Sequence, residues 1–372
     1  MILKRVPADI CKKKVMQKIL YTIIAIISFQ IAIAQNPGKQ IDMVPANWNV
    51  NNKTTFERFD NRETLVLKGG RVTVKNEKFT NGTLEVDVYA NSKRSFAGIT
   101  FRKQNNDMEE VYMRMHKSKQ VDALQYTPIF NNESNWQLYK EYQAQVIFKN
   151  KGWNALRIEV TNNRAEVFVN NVKMMSIDHL RTDNIIGEVG LFALFGNRFS
   201  NFRITHNNAV ETVEKSNPTP TDNNIIAKWN ITKAKPYKEG TLIFDDFLKE
   251  KYTTVTTEKS GLLTISKYVK KSSSGNFEQN KANYIVASTT IEADADETKL
   301  FSFDYSDKIM VFINGKAVFK GNNAFRAKGL QYTGHIDINT NKLYLPLKKG
   351  KNIIHCVVID KANGWGLIAK WE

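Results

Sequence analysis

Cysteine is almost missing from this chain: among 372 residues there are two, Cys11 and Cys356. A disulfide scaffold is excluded, so stability has to come from apolar cores. Cys356 lies in the apolar run IIHCVVI, which suits a buried structural thiol and not a nucleophile. Histidine is equally sparse. The five His residues are spread singly, without the spacing of a zinc site and without a nucleophile elbow beside any of them. Phosphate-binding loops and dinucleotide fingerprints are absent as well. After residue 34 no stretch keeps apolar residues at helical spacing for the ten or so positions a helix needs.

One long apolar run is present. Residues 19–34, ILYTIIAIISFQIAIA, follow a basic segment with Lys12, Lys13, Lys14 and Lys18 and end in Ala32-Ile33-Ala34. That order of charge, apolar run and small residues predicts a secretory signal over 1–34, cleaved after Ala34. The run of 16 residues falls short of the roughly 20 that span a bilayer, so no membrane span is expected after its removal. No cysteine follows it to carry a lipid. The expected location is secreted, periplasmic or at the cell surface. Losing six basic side chains and one acid with residues 1–34 takes the formal charge from +17 to +12. The remaining Lys and Arg are scattered and accompany no nucleic-acid motif, so a solvated basic surface is expected and a nucleic-acid partner is not.

What dominates is strand signal. RVTVKN, GTLEVDVYA, AGITFR, EVYMRMH, ALRIEV and AEVFVN, then TLIFDDF, KIMVFING, KLYLPL and NIIHCVVI, are short runs of Val, Ile, Phe and Tyr between Gly, Asn and Asp clusters. The fold class expected is all-β, two β-sandwich (jelly-roll) domains joined by a linker. Residues 207–222, with Pro218 and Pro220 among Thr, Asn and Ser, form the linker between a first domain at 40–206 and a second at 223–372. The second domain opens with Ile226-Ala227-Lys228-Trp229 and closes with Ile368-Ala369-Lys370-Trp371, which predicts first and last strands lying side by side.

Strand alternation then sorts side chains into core and surface. Val86 and Val88 go inward, leaving Glu85, Asp87 and Tyr89; Val111 and Met113 go inward, leaving Glu110, Tyr112 and Arg114; Ile99 and Phe101 go inward, leaving Thr100 and Arg102. A cluster of acids, guanidinium groups and rings is thus expected on one open face. Glu85, Asp87 and Glu110 are the candidate catalytic acids. A salt-bridged polar face with Arg102 and Arg114 is the other account of Glu85 and Asp87.

The segment from Phe79 to Phe202, with FTNGTLEVDVYA, FAGITFR, EEVYMRMH, DALQYTP, Trp136, KGWNALRIEV and GLFALFGNRFSNFRI, resembles a concanavalin A-like (laminin G-like) jelly roll of the kind grouped with 3-keto-disaccharide hydrolase domains. The resemblance implies a concave sheet that binds sugar, with matching groove positions at Glu85, Asp87, Arg102, Glu110, Tyr112, Arg114, Gln125, Tyr126 and Trp136. Arg, Glu and Gln suit sugar hydroxyls, and rings suit the C–H face of a pyranose. Laminarinase-like hydrolases on this fold carry two glutamates flanking an aspartate on one strand; after Glu85 and Asp87 this chain has Tyr89 and Ala90 instead. Trp153 matches a strand-entry tryptophan, for which core packing is expected.

From Asp304 to the end, with the Asn314-Gly315 turn, LPLKKGKNIIHCVVID and NGWGLIAKW, the chain resembles the closing half of a galactose-binding-like jelly roll. Trp365, between Gly364 and Gly366, is either a further ligand contact or a plug at the core edge. No cofactor or metal is expected, although Asp304 and Asp307 could hold a structural calcium. The function expected is an exported carbohydrate-binding protein that recognises a glycan or polysaccharide in the first domain's groove. Two alternatives stand beside it: a glycoside hydrolase or lyase acting on a disaccharide, 3-keto in one version, or on a polysaccharide, and a structural module of a polysaccharide-handling complex.

Overall fold

Ten strands of the first half carry the argument, in a computed structural model that describes residues 38–207, 220, 222–242, 244–272 and 281–372. They are β1 (Thr54–Phe59), β2 (Arg62–Phe79), β3 (Gly82–Ala90), β4 (Phe96–Gln104), β5 (Asp107–Met113), β6 (Leu124–Phe130), β7 (Gly152–Thr161), β8 (Arg164–Val169), β9 (Val172–Ile177) and β10 (Gly187–His206). The predicted signal segment at 1–34 lies outside the described residues, as does most of the predicted linker. Among the described residues no helix is long and apolar enough to cross a membrane.

The two long strands tie the first sandwich together. The first part of β10 pairs with β4 from Glu188 to Leu194, and its last part pairs with β3 from Arg198 to His206. A register break between Leu194 and Asn197, with Phe195 and Gly196 at φ of 65° and 80°, separates the two parts. Strand β2 follows β10 along both. One layer is therefore β6-β5-β4-β10-β2, and the other is β1-β2-β10-β3-β7-β8-β9. Alternation acts as expected on the inward side: Val86, Val88, Ile99, Phe101, Val111 and Met113 are all buried in one core with Leu65, Leu67, Leu156 and Phe199. Each such side chain contributes about 1.5–3 kcal/mol of burial free energy.

The second half forms a seven-stranded and a four-stranded antiparallel sheet on a core of their own that holds Trp229, Phe303, Val311, Cys356 and Trp365. Asn314 and Gly315, at φ of 48° and 82°, make the tight turn between Lys308–Ile313 and Lys316–Asn322. Ile226 N donates to Ala369 O at 3.0 Å, so the opening and closing segments do lie together. Cys356 is buried, and burial pushes its thiol up.

Residues 40–372 form one compact unit. The two sandwiches meet through apolar side chains, Leu262, Ile336 and Ile368 packing into the first core, and through polar groups. Trp136 Nε1 donates to Asn363 Oδ1 at 3.1 Å, Gln137 Nε2 to Thr333 O at 2.7 Å, and Tyr139 Oη to Glu258 Oε1 at 2.5 Å. Lys271 Nζ, buried, joins Glu133 of the first sandwich at 2.9 Å to Asp360 of the second at 2.6 Å.

Candidate functional site

The outer face of the β6-β5-β4-β10-β2 layer is assembled by register. Arg71, Phe192, Gly98, Tyr112 and Gln125 oppose one another in a row across five strands, and Thr73, Gly190, Thr100, Glu110 and Thr127 form the next row. Residues directly opposite share a face, which is why these side chains gather. Gly98 is required here: a Cβ would lie 1.9 Å from Val111 O. The bare backbone at Gly98 and Gly190 also leaves the floor clear for longer neighbours.

Over that floor Arg71 Nε donates to Glu110 Oε2 at 2.7 Å, and its guanidinium sits 4.9 Å from the Phe192 ring centre. Glu110 is 1% exposed, and neither its Oε1 nor Thr100 Oγ1 has a protein partner. Burial raises the Glu110 carboxyl, with Arg71 opposing the shift. Tyr112 Oη donates to Gln125 Oε1 at 3.0 Å, and burial pushes the phenol up. Gln125 in turn reaches the Trp136 carbonyl at 3.4 Å. Rings continue the face outward, with Phe192, Tyr112 and Phe96 at centroid spacings of 5.6 and 6.1 Å.

At the other end the second sandwich closes in. Trp136, half-buried, packs edge-on against Phe325 and His335, and His335 Nε2 lies 3.0 Å from Gln143 Nε2. Burial holds His335 down at about 4.

Glu110, Tyr112, Gln125 and Trp136 are thus brought together, but all of them except Trp136 are buried instead of lying on the open face expected, and several expected neighbours go elsewhere. Glu85 and Asp87 lie on β3, on the outer face of the other layer, opposite Arg157 and Ser200. There Asp87 accepts from Arg62 at 2.6 Å and from Asn201 at 2.8 Å. A salt-bridged polar face is what Asp87 occupies, with Arg62 in place of the expected Arg102 or Arg114, and no acid of β3 approaches Glu110. Arg102 is buried: a register break after Phe101 and a φ of 51° turn it off the face, and it donates to Thr80 O, Asn81 Oδ1 and Asn162 O. Tyr126 opposes Val111 on the core side and donates to Glu109 Oε2 at 2.6 Å.

Arg114 follows the end of β5 and pairs with Asp122. Trp365 is 1% exposed, with Nε1 donating to Val358 O at 3.2 Å, so it is the core plug of the two readings. Its flanking glycine serves the interface instead: a Cβ on Gly364 would lie 3.0 Å from Leu138. Trp153, expected in the core, stands half-buried on the outer face with Nε1 donating to Asp60 at 2.7 Å beneath Arg62. His116 is half-buried beside Ser95 O and Phe96.

Arg71 and Phe192 do not stand out in the sequence as site residues. Arg71 nevertheless alternates with the inward Val72 and Val74 of RVTVKN, so period two already puts it outside. Among the described residues no group of three or more His, Cys, Asp or Glu could hold a metal ion. Asp304 is ringed by N–H donors from Asn323, Asn341 and Asp337, and Asp307 accepts from Lys361 N. Donors of this kind satisfy a carboxylate but do not coordinate calcium, which takes oxygen ligands.

Residues 37–205 match the family of 3-keto-alpha-glucoside-1,2-lyase-like domains. No curated protein matches the chain. Among solved structures, a carbohydrate-binding module from Bacillus subtilis is 12% identical with a TM-score of 0.33, over 42% of this chain and 93% of that one. The β-glucanase of Bacillus licheniformis is 9% identical with a TM-score of 0.35, over 46% and 99%. A galectin from Caenorhabditis elegans is 13% identical with a TM-score of 0.29, over 42% and 100%. The first sandwich is a β-sandwich that is similar in sequence to that carbohydrate-related family.

Proposed function

We propose, taking the first sandwich as a carbohydrate-related domain, that the protein binds a glycan on the outer face of the β6-β5-β4-β10-β2 layer, with Arg71 and Glu110 as its polar anchor. The observation that carries this is the pair of buried, unpartnered oxygens, Glu110 Oε1 and Thr100 Oγ1, beside Tyr112 and Phe192. A sugar hydroxyl is the kind of partner such oxygens lack, and the part-exposed rings of Phe96 and Trp136 accept its C–H face. Recognition is favoured over two-carboxylate hydrolysis because Glu85 and Asp87 lie on the other layer, whereas glycosidases need acids within about 5–10 Å of each other. The second pair of sheets acts as a supporting module that holds the Trp136 end of the groove. Export through the 1–34 segment belongs to this reading, since polysaccharides are met outside the cell.

A glycan array probed with the folded protein tests it. Wild type binds at least one carbohydrate, and Glu110→Gln weakens binding by about a hundredfold, as expected when a charge-assisted hydrogen bond to the sugar is removed. Binding to no glycan overturns the reading. Release of new reducing ends from a bound glycan moves the assignment to an enzyme.

A further inference from the structure

The rings of the groove do not stop at Tyr112. Phe96 lies 5.9 Å from Phe195, which is 57% exposed, and its neighbour Leu194 is 41% exposed. Phe195 also has a φ of 65°, a left-handed conformation that bulky side chains avoid. An aromatic residue that is both strained and exposed gains nothing in the core, and such residues persist where function uses them. The turn is held firmly all the same: Asn197 Nδ2 donates to Phe96 O at 2.8 Å and to Leu194 O at 3.2 Å.

Arg94, exposed, places its guanidinium 4.7 Å from the Phe195 ring centre and 5.8 Å from that of Phe96. Unlike Arg114, which is bound to Asp122, Arg94 has no carboxylate within ion-pair distance among the described residues. A ring and an uncompensated cation thus stand together where the groove meets solvent.

We infer that Phe195, Phe96 and Arg94 form an outer subsite for a sugar carrying a carboxylate or sulfate, so that the glycan is acidic and longer than a disaccharide. The inference rests on the proposed function. A pyranose packs on the ring while its anion takes the fork of Arg94.

Calorimetric titrations with oligogalacturonides, chondroitin sulfate oligomers and size-matched neutral cello-oligosaccharides test this, each as disaccharide and hexasaccharide. Wild type binds one of the acidic hexamers about tenfold or more tightly than the neutral one, and the preference shrinks as salt screens it. Preference for oligogalacturonide identifies the carboxylate, and preference for chondroitin sulfate alone identifies the sulfate. Arg94→Ala removes the preference. Phe195→Gly weakens hexamer but not disaccharide binding while unfolding no earlier than wild type, because glycine relieves the backbone. Equal binding of acidic and neutral hexamers, or a preference untouched by Arg94→Ala, overturns the outer subsite. If Glu110→Gln still weakens binding about a hundredfold, the proposed function stands without it; if no saccharide binds, both fall.

Discussion

Arg71 and Glu110 touch at 2.7 Å although β10 and β4 lie between their strands. Three strand spacings of about 4.8 Å separate β2 from β5. The two side chains close that gap over a floor cleared by Gly98 and Gly190. Replacing either glycine with a residue that has a Cβ would refill the floor.

Removing the charge at Glu110 separates binding from folding. Glu110→Gln keeps the volume but gives up the ion pair with a partner that is 24% exposed and can rehydrate. Because burial outweighs Arg71 in setting the Glu110 carboxyl, stability in urea titration changes by less than about 1 kcal/mol, while carbohydrate affinity falls far more. A variant that loses stability and keeps its affinity contradicts the anchor role.

Arg102→Ala gives the opposite pattern. Thr80 O and Asn162 O lose the guanidinium inside the sandwich, and Asn81 Oδ1 keeps only Asn162 N, so a loss of about 2–4 kcal/mol is expected by chemical unfolding. Glycan affinity of the folded fraction is unchanged, since the guanidinium does not reach the groove.

Lys271 is the buried cation between the sandwiches. Lys271→Met leaves Glu133 and Asp360 without their counter-charge and costs about 3–5 kcal/mol, measured as a lower urea midpoint.

Acid pH moves stability and binding in opposite directions. Burial, then the charge of Asp360, pushes the Asp307 carboxyl well up, and burial raises Glu110 as well. A carboxyl raised in the folded state binds its proton more tightly there than in the unfolded chain. Its contribution to stability is full below the ordinary value, near pH 4, and is lost as pH rises through the folded value. Asp307→Asn, which imitates the protonated acid, therefore loses less stability than wild type as pH rises across that window, measured as the difference between their urea midpoints. Glycan binding runs the other way, since protonating Glu110 on acidification dissolves the pair with Arg71.

Period two is enough to find the core. Val86, Val88, Val111 and Met113 are where alternation puts them, and the same parity excludes Gln125 and Tyr126 from sharing a face. Parity says in or out, however, and not which of two layers. Glu85 and Glu110 both point outward and still lie on opposite sides of the sandwich. Arg102 escapes the pattern because one left-handed residue in a bulge reverses the count, and Phe195 because its exposure follows from a turn in the middle of a strand. Trp136 takes its place from a partner surface more than 200 residues away, at Asn363, which no local pattern encodes.

The short turn Trp136–Leu138 lies between the sandwiches, with Gln137 bonded to Thr333 and Trp136 to Asn363. A piece cut to the boundaries of residues 37–205 would carry that turn with its partners stripped away. The carbonyl of Trp136 that steadies Gln125 would then hang from an untethered loop. In this chain the first sandwich borrows part of its rigidity from the second, and modular boundaries drawn by sequence likeness do not mark where mechanical independence begins.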